Sequence, residues 1–594
     1  MTGRQQQRQD ATTNTSSAPG SGGMRFERTA AASDDSFTYI GKGRAGGKAA
    51  GLAAIKDGLE REFPGHRYED ITVSIPRMIV IRTGVFEEFM EQNHLSEAAL
   101  SGMEDERIAH LFQKADLPAT VVGDLLHLVR SVHEPLAIRS SSLLEDSLHQ
   151  PLAGVYETKM IPNSQPDAES RFHRLVEAIK VVYASTYYRA ARQYFQGIGK
   201  DIREERMAVI IQEVVGYRYN ERFYPTISGV ARSYNFYPSG NARPEEGVVH
   251  LALGLGKTIV DGGRTWSYSP VFPRALPPYA SISDLLKNTQ TRFWSVFMGT
   301  PKEFDPIRAT EYLHEGALSE AEYDGTLPFV CSTYEAASDR LQMGCSAPGA
   351  RLVDFSPVLK GRINALNELL IRLLKLTENE LGQETEIEFA VAMDPYRKRE
   401  THFGFLQLRP MVVSSKGSVV DLEALPEKKV LISSQRAMGN GVLDNLRHVL
   451  YLRPEAFEPQ ATPRIAAEVE SFNTQLLEAK IPYVLVGFGR WGSVDPWLGI
   501  PVRWSQISGA RVIVETTLPD MNPDLSQGSH FFHNLTALGI LYLCVPDPVK
   551  NPIDWTWLDR QPAVRESEML RLIRCGQALT VGVDGRSGKG VILE

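Results

Sequence analysis

The sequence predicts a mixed α/β protein in which a large ligand-binding unit precedes a smaller, strand-rich one. Three observations carry this. Continuous β-branched runs such as "RMAVIIQEVV" (206–215) and "TEIEFAVAMD" (385–394) read as buried strands. Between them, "SPVLKGRINALNELLIRLLKLTENELG" (356–382) places apolar residues at helical spacing. The glycine-rich "GKGRAGGKAAGLAAIKDGL" (41–59) reads as a loop feeding a helix N-terminus. Strands mixed with helices in this order indicate an α+β or α/β unit.

Composition narrows the function. A chain of 594 residues exceeds what one core supports, so several domains or subdomains are expected. A net charge of -8 lacks the basic face that neutralises nucleic-acid phosphates, so no nucleic-acid partner is expected. The four cysteines, Cys331, Cys345, Cys544 and Cys575, include no C-x-x-C pair, which excludes a zinc knuckle and gives no disulfide framework. A reducing cytoplasm fits this usage. Residues 1–35 are rich in Gln, Ser, Thr, Gly and Ala without an apolar signal core, and are expected to be a disordered tail. No apolar run reaches the roughly 20 residues of a membrane helix, so no membrane partner is expected.

Order is expected to begin near Phe37. "ITVSIPRMIVI" (71–81) reads as a strand and "TGVFEEFMEQN" (83–93) as a helix. Leu136 to Met160 reads as strand, long polar loop, strand, and Ser170 to Gly197 as helical. Strands follow at "TISGVARSYNFY" (226–237), "GVVHLALGLG" (247–256) and, after an irregular Pro-rich insertion at about 275–350, "HFGFLQLRPMVV" (402–413). A charged linker, Gly417 to Lys429, leads to the second unit, with strands at "KVLISS" (429–434), "YVLVGF" (483–488), "ARVIVET" (510–516), "ILYLCV" (540–545) and "ALTVGV" (578–583).

Several segments could carry chemistry. Glu386 and Glu388 lie two apart in a strand-like run and so share a face; Gln407 and Arg409 do the same on the next strand. Two acids opposite an amide and a guanidinium can seat magnesium and phosphate oxygens; cross-strand ion pairs on an exposed face would give the same pattern. "AIRSSSLLEDSLHQPLAGVYET" (137–158) joins Arg139, hydroxyls, Glu145–Asp146 and Gly154, which suits either a polyphosphate-binding loop or a solvated one. "ALGLGKT" (252–258) imitates a P-loop, but Leu251 stands where the pattern needs Gly, so a P-loop ATPase is not expected. "GSHFFHNLTALGI" (528–540) puts His530 and His533 near a helix start with no third metal ligand nearby, leaving metal, packing or chemical roles open.

Together, "GGKAAGL" (46–52), "IRSSSLLED…LAGVYET" (138–158), "MAVIIQEVV" (207–215), "SGVA" (228–231), "LALGLGKTIVDGG" (251–263) and "EIEFAVA…FLQLRP" (386–410) resemble, in order and spacing, the ATP-binding domain of phosphoenolpyruvate synthases and pyruvate phosphate dikinases. The resemblance implies an ATP-grasp-like nucleotide-binding domain over 36–415, with ATP and Mg2+ as cofactors. It implies that Lys48 and Arg139 hold ATP phosphates under the Gly154 loop, and that Gln212, Glu213 and Val214 form the hinge beside adenine. It implies further that Glu388 and Gln407 are magnesium ligands, with Arg409 on a phosphate and Glu386 in support. Lys257 departs from the family, which has an acid after Gly-Leu-Gly.

In that family ATP phosphorylates a histidine on a swivelling domain. Here the spacing from His530 to Leu538–Gly539–Ile540 resembles that domain, although Phe531 and Phe532 replace its small residues. The expectation is a diverged phosphohistidine-like domain over 430–594, with His530 as the catalytic phosphoryl carrier. A helix N-terminus favours neutral, nucleophilic imidazole and then the phosphoryl group it gains. The family's barrel for pyruvate or phosphoenolpyruvate is not expected within these residues, so the small-molecule acceptor is unidentified, and a partner subunit could supply its site. The Trp-rich "GFGRWGSVDPWLGIPVRW" (487–504) reads either as an acceptor pocket or as a buttress. The reading is an ATP-dependent phosphotransferase of the dikinase type. An ATP-dependent ligase and a non-catalytic ATP-sensing subunit are the alternatives.

Overall fold

The computed structural model describes residues 37–594 apart from 144, 146–153, 239, 276–280, 302, 362, 397–398, 412, 414–419, 423, 426–427, 519–530, 532–533, 536–537, 547–552 and 586. The expected N-terminal tail, most of the loop before Gly154, and both His530 and His533 therefore lie outside the described residues. Among the described residues no helix is long and apolar enough to cross a membrane.

Two large sheets frame the site in the first unit, beside a four-stranded and a three-stranded one. The five-stranded one runs in the spatial order Phe37–Ile40, Met78–Ile81, Met207–Glu213, Leu136–Ser142, Thr158–Ile161. The seven-stranded one runs Trp266–Tyr268, Val248–Ala252, Ile227–Arg232, Thr385–Ala392, Thr401–Pro410, Ile71–Ser74, Arg67–Tyr68. "ITVSIPRMIVI" is thus not one strand: it breaks at Ile75-Pro76-Arg77, and its halves belong to different sheets. Pro76 has no N–H for a ladder, and its ring restricts the residue before it, so the chain leaves one sheet there and enters the other. The Ser170 to Gly197 stretch likewise divides into helices Ala168–Ser185 and Arg189–Gly197.

Strand alternation decides which side chains reach the space between the sheets. Ile387, Phe389 and Val391 enter the core beneath helix Leu366–Leu381 with Leu369, Leu370 and Leu373, so Glu386 and Glu388 must face the other way. The helix Gly47–Glu62 crosses strand Thr401–Pro410 at Gly51, where a Cβ would meet the Leu408 carbonyl at 2.5 Å.

The stretch expected to be an irregular insertion is regular. It holds the hairpin strands Arg292–Phe297 and Leu313–Ala317, the helix Leu318–Tyr323, and a three-stranded antiparallel sheet of Arg340–Met343, Cys331–Glu335 and Ala350–Val353. Its described prolines, Pro301, Pro306, Pro328 and Pro348, sit between the strands, and the strands are too short for periodicity to reveal.

The second unit is a nine-stranded mixed sheet. The five expected strands are all present, at Val430–Ser434, Tyr483–Phe488, Ala510–Thr516, Leu541–Val545 and within Leu570–Asp584. The long strand Gly441–Leu452 and the helix Thr462–Glu478 were not anticipated. One apolar cluster runs through both units, joining Phe86, Phe89 and Tyr183 of the first to Phe488, Trp491 and Trp504 of the second.

Candidate active site

Lys48 stands in the first turn of helix Gly47–Glu62, and the local sequence fixes it there. Gly46 has φ 81°, and a Cβ on it would lie 1.7 Å from the Ser141 carbonyl oxygen. The helix has no side-chain cap of its own; instead the Ser141 hydroxyl accepts from the Ala49 N–H (3.2 Å) and donates to the Ala45 carbonyl (2.9 Å). The strand Leu136–Ser142 thereby clamps the helix start, and the Lys48 ammonium reaches Glu145 (2.6 Å), the Ser140 hydroxyl (3.1 Å) and the Ser140 carbonyl (3.2 Å). Gly46→Ala is expected to lower the unfolding free energy by ~3 kcal/mol, because both the backbone conformation and the space reject a side chain. Urea unfolding measures it, and an unchanged midpoint would remove the clamp from the account.

Arg139 bridges the two sheets. From the five-stranded sheet its guanidinium donates to Gln212 Oε1 (3.3 Å) beside it, and across to Gln407 Oε1 (2.6 Å), Glu388 Oε2 (3.2 Å) and the Leu406 carbonyl (3.0 Å). That last acceptor comes from a β-bulge: Glu388 faces Gln407 and Phe389 faces Phe405, so Leu406 has no opposite residue. Arg409 donates to Glu388 Oε1 (2.5 Å) and pairs with Glu386 (3.1 Å), whose other oxygen accepts from Arg232 Nε (2.5 Å). The result is an alternating row, Arg232, Glu386, Arg409, Glu388, Arg139, across the face between the sheets. Arg232 was not singled out in the sequence, although it lies four residues after Ser228 on the same strand face. Burial pulls its guanidinium below the usual range, against the pull of Glu386.

The residues grouped by the resemblance therefore meet, with exceptions. Arg139, Gln212, Glu386, Glu388, Gln407 and Arg409 converge; Lys48 instead holds Ser140 and Glu145 at the end of strand Leu136–Ser142, and Gly154, exposed with φ 67°, borders the undescribed loop. The N–H groups of Glu213 and Val214 are engaged by the Arg77 and Pro135 carbonyls (3.0 and 2.9 Å), so a base at this strand end cannot use them without displacing those bonds. Gln212 Nε2, by contrast, is a buried donor with no partner among the described residues. Lys257 pairs with Asp261 one turn on (2.6 Å), so the inverted charge is met locally.

Among the described residues no cluster of three or more His, Cys, Asp or Glu forms a metal cage. The Glu388 carboxylate and the Gln407 carboxamide oxygen nevertheless fit magnesium, a hard cation that takes one or two protein oxygens and completes its shell with water and substrate phosphates. Both now bond to Arg139, so a cation entering here would turn that guanidinium toward incoming phosphate.

The Trp-rich loop docks the second unit onto the turn that follows Gly-Leu-Gly. Arg490 (3.5 Å) and the Ser493 hydroxyl (3.1 Å) donate to the Gly262 carbonyl, the Val494 N–H to the Asp261 carbonyl (3.3 Å), and Arg264 pairs with Asp495 (3.1 Å). Trp491 and Trp504 are buried and Trp497 is exposed, so the loop is a buttress and presents no wall of three aromatics. Beneath it, burial pushes the Glu515 carboxyl up to about 7, opposed by bonds from the Tyr542 hydroxyl and the Trp491 N–H and by the charge of Arg490. Between the ordinary value of 4.5 and about 7 the folded chain keeps a proton that the unfolded chain releases, so stability should fall as pH rises through this window. The thermal midpoint should therefore drop more from about pH 5 to about pH 8 in the wild type than in Glu515→Gln; equal slopes would refute it.

Comparison with known proteins decides the family. The family model described as "Pyruvate phosphate dikinase, AMP/ATP-binding domain" matches residues 42–429. The chain belongs to that family. Every converging residue of the pyruvate phosphate dikinase-type site lies within the matched span. Among named relatives, the uncharacterized phosphotransferase YvkC of Bacillus subtilis (strain 168) is 25% identical over 191 residues, 32% of this chain and 20% of that protein. A phosphoenolpyruvate synthase of Aeropyrum pernix is 29% identical over 231 residues, 36% of this chain and 25% of that protein. The chain thus spans a quarter or less of the length of either relative.

Proposed function

We propose that the protein is an ATP-dependent phosphotransferase of the dikinase type, moving a phosphoryl group from ATP through a phosphohistidine at His530 to a small-molecule acceptor. The carrying observation is the convergence of Arg139 and Arg409 on Glu388, with Gln407 also held by Arg139, between two sheets and within the matched family span. ATP would lie in an ATP-grasp-like cleft there. Lys48 and Arg139 would give up Glu145, Glu388 and Gln407 for phosphate oxygens, and Arg409 would hold the phosphate beside Glu388. The buried Gln212 Nε2 would find an acceptor on the base. Magnesium at Glu388 and Gln407 would supply charge neutralisation on the phosphates. With little covalent chemistry asked of it, the protein contributes position and charge.

His530 enters through its sequence spacing, and the second unit would be the swivelling carrier. The docking of Arg490 and Ser493 on Gly262 brings that unit against the turn after Gly-Leu-Gly, as a carrier returning to its ATP site requires. The names of the two relatives, a phosphotransferase and a phosphoenolpyruvate synthase, support phosphoryl transfer as the chemistry. Incubation with ATP labelled at the β or the γ phosphate tests the proposal. β-label should appear on the protein as an acid-labile, base-stable adduct and be absent from His530→Ala. Acceptor-dependent ATP consumption without labelled protein would indicate a ligase, and ATP binding without turnover a sensor.

A further inference from the structure

The three-stranded sheet of the first unit brings together two cysteines that lie fourteen residues apart in sequence. Cys331 opens the central strand Cys331–Glu335, and Cys345 lies just beyond the partner strand Arg340–Met343. The hairpin register, Ser332 opposite Met343 through Glu335 opposite Arg340, continues into a bond from the Gly344 N–H to the Cys331 carbonyl (2.8 Å). A second tie, from the Thr333 hydroxyl to the Gly344 carbonyl (2.7 Å), holds the same corner. The two Sγ atoms lie 3.1 Å apart, and both are free thiols. The other two cysteines, Cys544 and Cys575, are buried in the second unit.

We infer that Cys331 and Cys345 form a redox-active dithiol that a hydroperoxide converts reversibly to an intrachain disulfide. The inference is independent of the phosphotransfer reading, since neither cysteine belongs to the site between the sheets.

The two thiols differ in a way that assigns their order. Cys331 is buried and Cys345 is partly exposed. The Arg351 guanidinium bonds to the Cys345 carbonyl (3.3 Å), the Ala347 carbonyl (2.7 Å) and the Thr333 hydroxyl (2.6 Å), and pairs with Glu322 (2.6 Å), so an ion pair and not a lone positive charge sits beside Cys345. The hydrogen bond with Cys331 draws the Cys345 thiol below its ordinary pKa against partial burial and the Glu322 charge, with Arg351 adding a smaller pull, while that bond and burial push Cys331 up. A thiolate is the nucleophile, so Cys345 attacks first. Its sulfur takes one oxygen of the peroxide; the O–O bond breaks and hydroxide, or the corresponding alkoxide, leaves. The Cys345 sulfenic acid is then attacked by the Cys331 sulfur: the S–S bond forms, the S–O bond breaks, and water carries away the oxygen with the Cys331 proton. The balance is two thiols and one hydroperoxide giving one disulfide, one water and one alcohol or second water. Because the hairpin already holds the sulfurs 3.1 Å apart, only about 1 Å remains to close to the length of an S–S bond.

Hydrogen peroxide applied to the full-length, freshly reduced protein tests this. Two of the four thiols should disappear together, the intact mass should fall by about 2 Da, and peptide mapping should join Cys331 to Cys345 until dithiothreitol separates them. In Cys331→Ser a sulfenic acid should persist at Cys345 and be trapped by dimedone. In Cys345→Ser the oxidation of Cys331 should slow by about tenfold or more. Survival of all four thiols, loss of one thiol with a gain of oxygen in the wild type, or a Cys345 link between two chains would each overturn the inference. If either variant fails to fold, the wild-type peptide map decides.

Discussion

Replacing Arg139 by alanine is expected to lower ATP turnover by about 10³-fold. Its guanidinium touches both sheets of the cleft, holding Gln212 on one side and Gln407, Glu388 and the Leu406 carbonyl on the other. Alanine removes the cation proposed to bind phosphate and also leaves a carboxylate and a carboxamide with fewer partners, so the two effects compound. Arg139→Lys should recover little, because a single ammonium cannot reproduce a planar fork that serves four acceptors. Initial rates of AMP or ADP formation, with circular dichroism as the check on folding, measure both variants. Turnover within about threefold of wild type in a folded Arg139→Ala would remove Arg139 from the site.

Glu388→Gln should raise the magnesium concentration needed for half-maximal turnover by about tenfold or more, with a smaller change in ATP affinity measured without metal. Glu386→Gln should behave differently. Both Glu386 oxygens are taken by Arg232 and Arg409 in a fully buried position, so its loss should appear mainly as instability. A magnesium titration on both variants separates the roles; an equal shift in the two would deny Glu388 its place as ligand. The row of alternating charges explains how such a site stands before nucleotide arrives. Glu388, the acid proposed to meet magnesium, is paired with Arg139 and Arg409, so on the proposed reading ATP and metal would exchange one set of ion pairs for another.

Much of the site was legible before any coordinates. Glu386 and Glu388 had to share a strand face because alternation in a strand is geometric, and Gln407 and Arg409 followed by the same rule. Their pairing opposite one another, Glu386 with Arg409 and Glu388 with Gln407, then required only that the two strands be neighbours in antiparallel register. Arg232 was missed because its strand lies more than 150 residues away in sequence, and nothing local says that its side chain meets Glu386. The Pro-rich stretch and the long strand Gly441–Leu452 were misread or missed for a related reason. Short strands, and long strands that are half exposed, gain their stability from neighbours that the segment itself does not contain.

By itself, then, the sequence determined the mixed α/β class, the order of the ATP-site motifs and the family to which the chain belongs, since these rest on local periodicity and on residues at fixed spacing. Only the tertiary structure decided that Arg139 spans two sheets, that the Trp-rich loop is a buttress on Gly262, and that Cys331 and Cys345 are neighbours. Each of these is a contact between segments remote along the chain. Such contacts are set by sheet register and by the packing of one apolar cluster through both units, which no stretch of sequence specifies alone.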